Sequence, residues 1–229
     1  ANELCNRHSL DTISTGAVIA FAMECYENGI LTDEDTGGLK LSFGNAEAMV
    51  KMVEMIGKRQ GLGDILAEGV KRAAEKIGKG SEQFAVHVKG QEVPMHEPRL
   101  KRALGIGYAV SPTGADHQHN LHDMGLAGPA IKKFSALGII EPVPLEDLGP
   151  RKVRALIYRV DWCVLSNSLL LCQFLPWDYD QTTEIVKAVT GWNSTSWELM
   201  KIGERVTTMA RAFNVREGFT KEDDWLPKR

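Results

Sequence analysis

Cysteine is scarce in this chain, 4 of 229 residues, and the four are scattered. Cys5, Cys25, Cys163 and Cys172 follow no zinc, thioredoxin-like or secreted-scaffold spacing, which argues against a disulfide framework and favours a reducing, cytoplasmic compartment. Long apolar runs are also lacking. None reaches the ~20 residues that a bilayer-spanning helix needs, and Glu24 and Asn167 interrupt the best candidates. Neither sign of charge dominates: 27 Lys plus Arg stand against 30 Asp plus Glu, a net charge of −3. Without a basic stripe interleaved with aromatics, a nucleic-acid partner is disfavoured, and no membrane partner is expected. Low-complexity tracts are absent too, so nothing suggests disorder.

What remains is an ordinary globular composition, 43% hydrophobic and 25% charged, in a chain long enough to bury roughly 70% of its unfolded surface. Helix signals dominate. Asp11 is placed to cap a helix running to about Asn28, with apolar residues on several sides, as in a helix buried between layers. Asn45 caps the next, in which Met49, Met52, Val53 and Ile56 keep a helical period and Glu47, Lys51, Glu54 and Lys58 face out. A third helix is expected from Asp64 to Ile77, with Glu68 and Arg72 paired on its outer face. Phe84 to Val88 alternates and is the one plausible strand. Met95 to Gly149, rich in Gly, Pro and His, reads as short helices around a cleft. Long helices return at about Gly149 to Phe174, Asp180 to Thr190 and Thr195 to Asn214. The expected fold class is all-α, with two helical subdomains, 1–94 and 95–229, and a hinge at Pro94 to Pro98.

Three stretches could carry chemistry. Asn6-Arg7-His8-Ser9-Leu10-Asp11 and Asn167-Ser168-Leu169-Leu170-Leu171-Cys172 share one pattern: a short polar side chain leads, and a potential ligand follows five residues later, a carboxylate in one and a thiol in the other. Asp11 reads equally as a helix cap, and Cys172 as a small buried hydrophobe. The third stretch, Asp116-His117-Gln118-His119-Asn120-Leu121-His122-Asp123, holds half of the histidines. If it is helical, His119 and His122 share a face and could chelate a metal, while His117 points elsewhere. A proton-relay role and a purely structural role stay open beside that reading. Tyr108 could orient a carbonyl group of a substrate or satisfy a buried one. His96-Glu97-Pro98-Arg99 reads as the start of a helix, with a cleft-lining role open for His96 and Arg99.

The paired six-residue elements resemble the pterin-binding elements of the aldehyde ferredoxin oxidoreductase family, which read Asp, two residues, Gly, Leu, then Asp or Cys. Further landmarks look similar and come in family order: Gly61-Leu62-Gly63-Asp64-Ile65-Leu66-Ala67-Glu68-Gly69-Val70, Val88-Lys89-Gly90, Tyr108-Ala109-Val110-Ser111-Pro112 and Phe213-Asn214-Val215-Arg216-Glu217-Gly218-Phe219. The resemblance covers nearly the whole chain. It implies a tungsten or molybdenum bis-pterin and a 4Fe-4S cluster, aldehyde oxidation to a carboxylic acid, and electron transfer to ferredoxin. On this resemblance Asn6, Leu10, Asp11, Asn167 and Leu171 fall at the pterin, Cys172 at the cluster, and His117 in proton transfer.

The departures from the family pattern carry expectations of their own. Asn replaces Asp at the head of both elements, keeping a hydrogen-bonding oxygen but no charge. Leu170 stands where the family has Gly, which should change the backbone of the second turn. The family's upstream run of three cysteines and its N-terminal pterin-binding domain are not in this sequence. The chain therefore looks like a C-terminal part, inactive alone, partnered by an N-terminal domain of the same enzyme, with a homodimer left open. Two rivals are a non-catalytic helical subunit and a metal hydrolase using His117, His119 and His122.

Overall fold

The structure, a computed structural model, describes residues 1–228. Among them are nine α-helices, short 3-10 segments and one two-stranded antiparallel pair. The all-α expectation is met. The chain forms two compact units, one of Ala1–Met95 with Thr113–Ala115 and the residues from Trp225, the other of His96–Pro112 and Asp116–Asp224. No helix among the described residues is long and apolar enough to cross a membrane.

The first unit is built around α2 (Thr12–Glu27), preceded by α1 (Asn2–His8) and followed by α3 (Ala46–Gly57), α4 (Leu62–Leu66) and α5 (Val70–Ile77). Asp11 caps α2 by accepting from the Ser14 N–H at 2.7 Å, and Asn45 caps α3 through Ala48 at 3.1 Å. Val18, Ile19, Phe21, Ala22 and Cys25 of α2 are all buried, together with Met52, Val53 and Ile56 of α3. Each large apolar side chain so buried contributes about 1.5–3 kcal/mol. With α1, α3, α4 and α5 all touching it, α2 is the layered helix its sequence describes.

The helix expected from Asp64 to Ile77 is two helices. Gly69 breaks it with φ 83°, and Val70 begins α5 by donating its N–H to Glu92 Oε1 at 2.7 Å. A Cβ on Gly69 would stand 2.9 Å from that oxygen. A cap supplied from elsewhere in the chain thus replaces the local continuation of the helix. The strand is shorter than Phe84 to Val88: Phe84 closes a 3-10 turn (Ser81–Phe84), and β1 (His87–Val88) pairs with β2 (Gln91–Glu92). Lys89 and Gly90 turn between them with φ 53° and 92°, the positive pair that tight hairpins require.

The second unit contains α6 (Arg102–Val110), 3-10 segments at Asp123–Leu126 and Gly128–Leu137, then α7 (Pro150–Ser168), α8 (Tyr179–Thr190) and α9 (Ser196–Arg216). Capping boxes start two of them, Asp178 with Gln181 on α8 and Thr195 with Glu198 on α9. The main packing is α7 against α9. Their backbones approach so closely that a Cβ on Gly203 would fall 1.9 Å from Asp161 O. His96 to Arg99 does not start a helix: α6 begins only at Arg102, after a turn containing Pro98. Likewise α7 stops at Ser168, short of Phe174.

Candidate functional site

The two asparagine-led elements have the same local structure. α1 ends at Ser9 with φ 55°, and α7 runs out at Leu170 with φ 58°. Ser9 donates its N–H to Asn6 O at 3.4 Å, and Leu10 to Cys5 O at 2.9 Å. Leu170 donates to Asn167 O at 2.9 Å, and Leu171 to Ser166 O at 2.9 Å. These are paired Schellman caps, in which one left-handed residue turns the chain and two amides close the last helical carbonyls. The expectation that Leu170 would change the second turn is wrong. The cap's hydrogen bonds hold a leucine in the left-handed conformation that glycine adopts freely, against a local cost of roughly 1–2 kcal/mol.

Each cap presents its candidate ligands outward. Asn6 and Asp11 are exposed and Leu10 half-buried; Asn167 and Cys172 are exposed and Leu171 half-buried. Asp11 Oδ1 is occupied by the Ser14 amide, so capping is real, and the second carboxylate oxygen is left over for another partner. Cys172 is the one exposed thiol of the four; Cys5, Cys25 and Cys163 are buried. The small-hydrophobe reading therefore fits those three and fails at Cys172. Asn167 is already engaged, its amide against His119 Nε2.

The histidine-rich stretch is not helical. Asp116 folds it instead, its Oδ1 accepting from the Gln118 N–H at 2.6 Å and the His119 N–H at 3.3 Å. This side chain-to-backbone closure competes with helix formation. It turns His119 toward Asp116, whose Oδ2 accepts from Nδ1 at 2.5 Å, and separates it from His122. Among the described residues no group of three His, Cys, Asp or Glu side chains could hold a metal ion. The chelating arrangement of His117, His119 and His122 does not form.

A different cluster forms. His96, outside that stretch, lies 5.0 Å from His117 and 4.8 Å from His122 between ring centroids. Lys101 joins them, its ammonium donating to His96 Nδ1 at 3.0 Å and reaching His122 Nδ1 at 3.5 Å. Lys has no acceptor, so both Nδ1 atoms must offer lone pairs and the protons sit on Nε2. His122 Nε2–H then donates to His117 O at 3.0 Å, and the Gln118 amide lies 2.8 Å from His117 Nε2. Burial, then the Lys101 charge, hold His96 below the ordinary histidine value. Burial does the same to His122, with Lys101 adding to it and the bond to His117 O opposing it. His119 goes the other way, raised by its bond to Asp116 against burial. Burial pushes the Asp116 carboxyl up, but the hydrogen bonds from His119 and Gln118 outweigh it and leave it lowered. His96 and His122 are thus held toward the neutral form, and His119, on Asp116, toward the charged one.

A buried frame holds the cluster. Asp123 is fully buried, accepting from the Ala103 and Leu104 amides at the start of α6 at 3.0 and 3.2 Å, and from Lys152 Nζ at 2.8 Å. Lys152, equally buried, also donates to Pro144 O and Leu145 O at 2.7 Å each. Next to it, Asn120 fills the space above Gly107, where a Cβ would stand 1.9 Å from its amide oxygen. The Tyr108 phenol donates to His96 O at 3.4 Å and is buried, so it satisfies a main-chain carbonyl group. Beyond His122 opens a cleft of about 380 Å³, bordered by Lys133, Phe134, Arg159, Trp162, Trp177 and Tyr179 among others. Sequence reading missed Lys101, Lys152 and Arg159, and named Asp123 only as a member of the histidine-rich stretch. No local pattern marks Lys152, because Asp123 lies 29 residues away along the chain.

Comparison with known proteins adds a second line of observation. A family model described as aldehyde ferredoxin oxidoreductase, domains 2 and 3, matches residues 1–229. The tungsten-containing aldehyde ferredoxin oxidoreductase of Pyrococcus furiosus is 36% identical over 233 residues, which span 100% of this chain and 37% of that protein. The protein of the same name from Thermococcus kodakarensis gives 36% over 233 residues, again 37% of its length. The WOR-like subunit of an aliphatic sulfonate oxidoreductase from Pyrococcus furiosus is 41% identical over 145 residues, 60% of this chain and 23% of that one. Among solved structures, the active site complex BamBC of benzoyl coenzyme A reductase with 1,5-dienoyl-CoA superposes with a TM-score of 0.72 at 26% identity, covering 96% of this chain and 38% of its own. The chain thus spans little more than a third of the relatives that it matches along its whole length.

Proposed function

The chain belongs to the aldehyde ferredoxin oxidoreductase family, and on that premise we propose that it is part of a cytoplasmic tungsten- or molybdenum-pterin enzyme. That enzyme oxidises aldehydes to carboxylic acids and passes the electrons through a 4Fe-4S cluster to ferredoxin. Residues 1–94 end the family's middle domain and residues 95–229 form its C-terminal domain. An N-terminal domain completes the cofactor site.

The local chemistry fits those groups. Two Schellman caps of one geometry offer outward amide, carboxylate and thiol groups, the donor set that an amino-pterin and an iron–sulfur cluster require. Asn6, Leu10, Asp11, Asn167 and Leu171 contact pterin, and Cys172 supplies a thiolate to the cluster. When bound, the metal-pterin supplies the two-electron chemistry. His117, whose Nε2 lies beside the Gln118 amide, is the residue that gives or takes a proton in the reaction.

The observation that carries this reading is likeness to tungsten-containing aldehyde ferredoxin oxidoreductases over the whole chain. Metal and pterin analysis of the complete enzyme tests it, with aldehyde-dependent dye reduction as the activity. Tungsten or molybdenum should accompany iron, and Cys172→Ser should lower the iron content. Full iron in that variant, or an enzyme without either heavy metal, would defeat the proposal.

A further inference from the structure

Four stretches of the second unit line the cleft at His122: Asn120 to Gly125, the 3-10 segment Gly128–Leu137, α7, and the turn that runs from the Leu170 cap into α8. Its walls are aromatic. Phe134, Trp162 and Tyr179 are buried, with Trp162 and Tyr179 edge to face at 4.3 Å between centroids, and Trp177 is 41% exposed.

Two cations border the same space, Arg159 and Lys133. Neither has a carboxylate partner among the described residues. Asp178 is the only acidic residue of the lining; its Oδ1 accepts from the Gln181 amide at 2.8 Å as the cap of α8, and among the described residues it forms no ion pair with either cation. A half-buried guanidinium in a cleft with aromatic side chains in its lining, paired with no carboxylate among the described residues, is an arrangement that recognises a ligand's anion. Arg159 also acts inward: its charge opposes the burial that raises the Cys163 thiol and, together with a hydrogen bond to the phenol, the burial that raises Tyr179, and the charge adds to the lowering of His122.

We propose that this cleft is a binding site for a planar aromatic carboxylate, with its anionic group on Arg159 and Lys133 and its ring against Trp162 and Trp177. The volume of about 380 Å³ suits a single-ring ligand with room for a substituent, at the lower end of small-molecule pockets. The ring gains contact with aromatic faces. The carboxylate gains charge-assisted hydrogen bonds, which are roughly twice as strong as neutral ones. The site does not depend on the oxidoreductase reading, because occupancy is measured without turnover.

Benzoate is the probe, titrated into the complete, cofactor-loaded enzyme while tryptophan fluorescence is followed. Benzoate should quench saturably, and neutral benzamide should bind about tenfold or more weakly, the loss expected when a charge-assisted hydrogen bond goes. Arg159→Gln should raise the benzoate Kd by a similar factor and Arg159→Lys by less, since a point charge replaces the two-pronged donor. Trp177→Phe should reduce the amplitude of quenching with little change in Kd. If Arg159→Gln fails to fold, the solvent-exposed Lys133→Gln provides the test and should weaken benzoate but leave benzamide unchanged. Absence of saturable binding, equal affinity for benzamide, or a Kd indifferent to both cations would overturn the proposal. So would binding that disappears once the cofactor is loaded, which would mark the cleft as covered or occupied in the working enzyme.

Discussion

Asn167, at the head of the second cap, sets its side-chain amide against Nε2 of His119, whose other ring nitrogen is held by Asp116. A neutral His119 accepts the Asn167 N–H; a charged one has an N–H at both positions and needs an oxygen instead. Proton uptake by His119 should therefore reverse the Asn167 amide. Because the Asp116 bond raises the folded His119 pKa, its stabilisation is fully present below the unfolded value of about 6.5 and fades as pH rises through the folded value. The lowered Asp116 works in the opposite sense. Its contribution is present above about 3.9 and is lost as pH falls through its folded value. NMR titration should find His119 above the ordinary histidine range, and Asp116→Asn should bring it down. An unshifted His119 in that variant would contradict the assignment.

His96 and His122 should titrate below the ordinary range. Their depressed values mean that the folded form loses stability as pH falls through about 6.5, where the unfolded imidazoles begin to take up protons. Lys101→Met removes one cause, so both pKa values should rise while His119 stays put. The same titration checks this, and no movement of either ring would show that Lys101 does not face them.

The Lys152–Asp123 pair should be sensitive to loss of one partner. Asp123→Ala leaves a buried ammonium and two α6 amides unmatched, at a cost of about 3–5 kcal/mol. Replacing both, Asp123→Leu with Lys152→Met, should cost less than the sum of the single changes. Denaturant unfolding of the complete enzyme gives the comparison, and strict additivity would argue against coupling.

Two glycines should respond in opposite directions. Gly203→Ala drives a methyl group into the main chain of Asp161 and should destabilise by about 1–3 kcal/mol through the α7–α9 contact. Gly16 lies within α2 with open space around its Cβ position, so Gly16→Ala should stabilise by about 0.5–1 kcal/mol. Thermal melts of both variants decide it; equal effects would mean that close approach is not the controlling factor.

Leu170→Gly offers a clean measurement of the left-handed cap. Leu170 is 93% exposed, so little burial is lost, and relief of the φ 58° strain should raise stability by up to about 1 kcal/mol after the added unfolded-state entropy. A fall in melting temperature would show that the leucine is held by contacts rather than merely tolerated.

Local signals made the helices legible. Asp11 and Asn45 cap where their sequence positions indicate, because capping depends on amides only three residues away. The break at Gly69 was not legible, since the cap that replaces helical continuation comes from Glu92, 22 residues on from Val70. The histidine stretch misled for a related reason: Asp116 could cap a turn or sit on a helix face, and the periodicity of its neighbours does not choose between them. Leu170 is the clearest case. Residue type argued against a left-handed backbone, while the hydrogen bonds at the end of α7 impose it. Family pattern located the two asparagine-led elements, but the partners of Lys101 and Asp123, and the place of Arg159 in the cleft lining, became visible only in three dimensions.

Burial of Cys5, Cys25 and Cys163 with exposure of Cys172 gives the protein a built-in counter. An alkylating reagent should add one adduct per chain wherever that sulfur is open to solvent, and none where iron or a neighbouring domain covers it. Mass spectrometry of the labelled chain would then report, molecule by molecule, how much of a preparation is assembled.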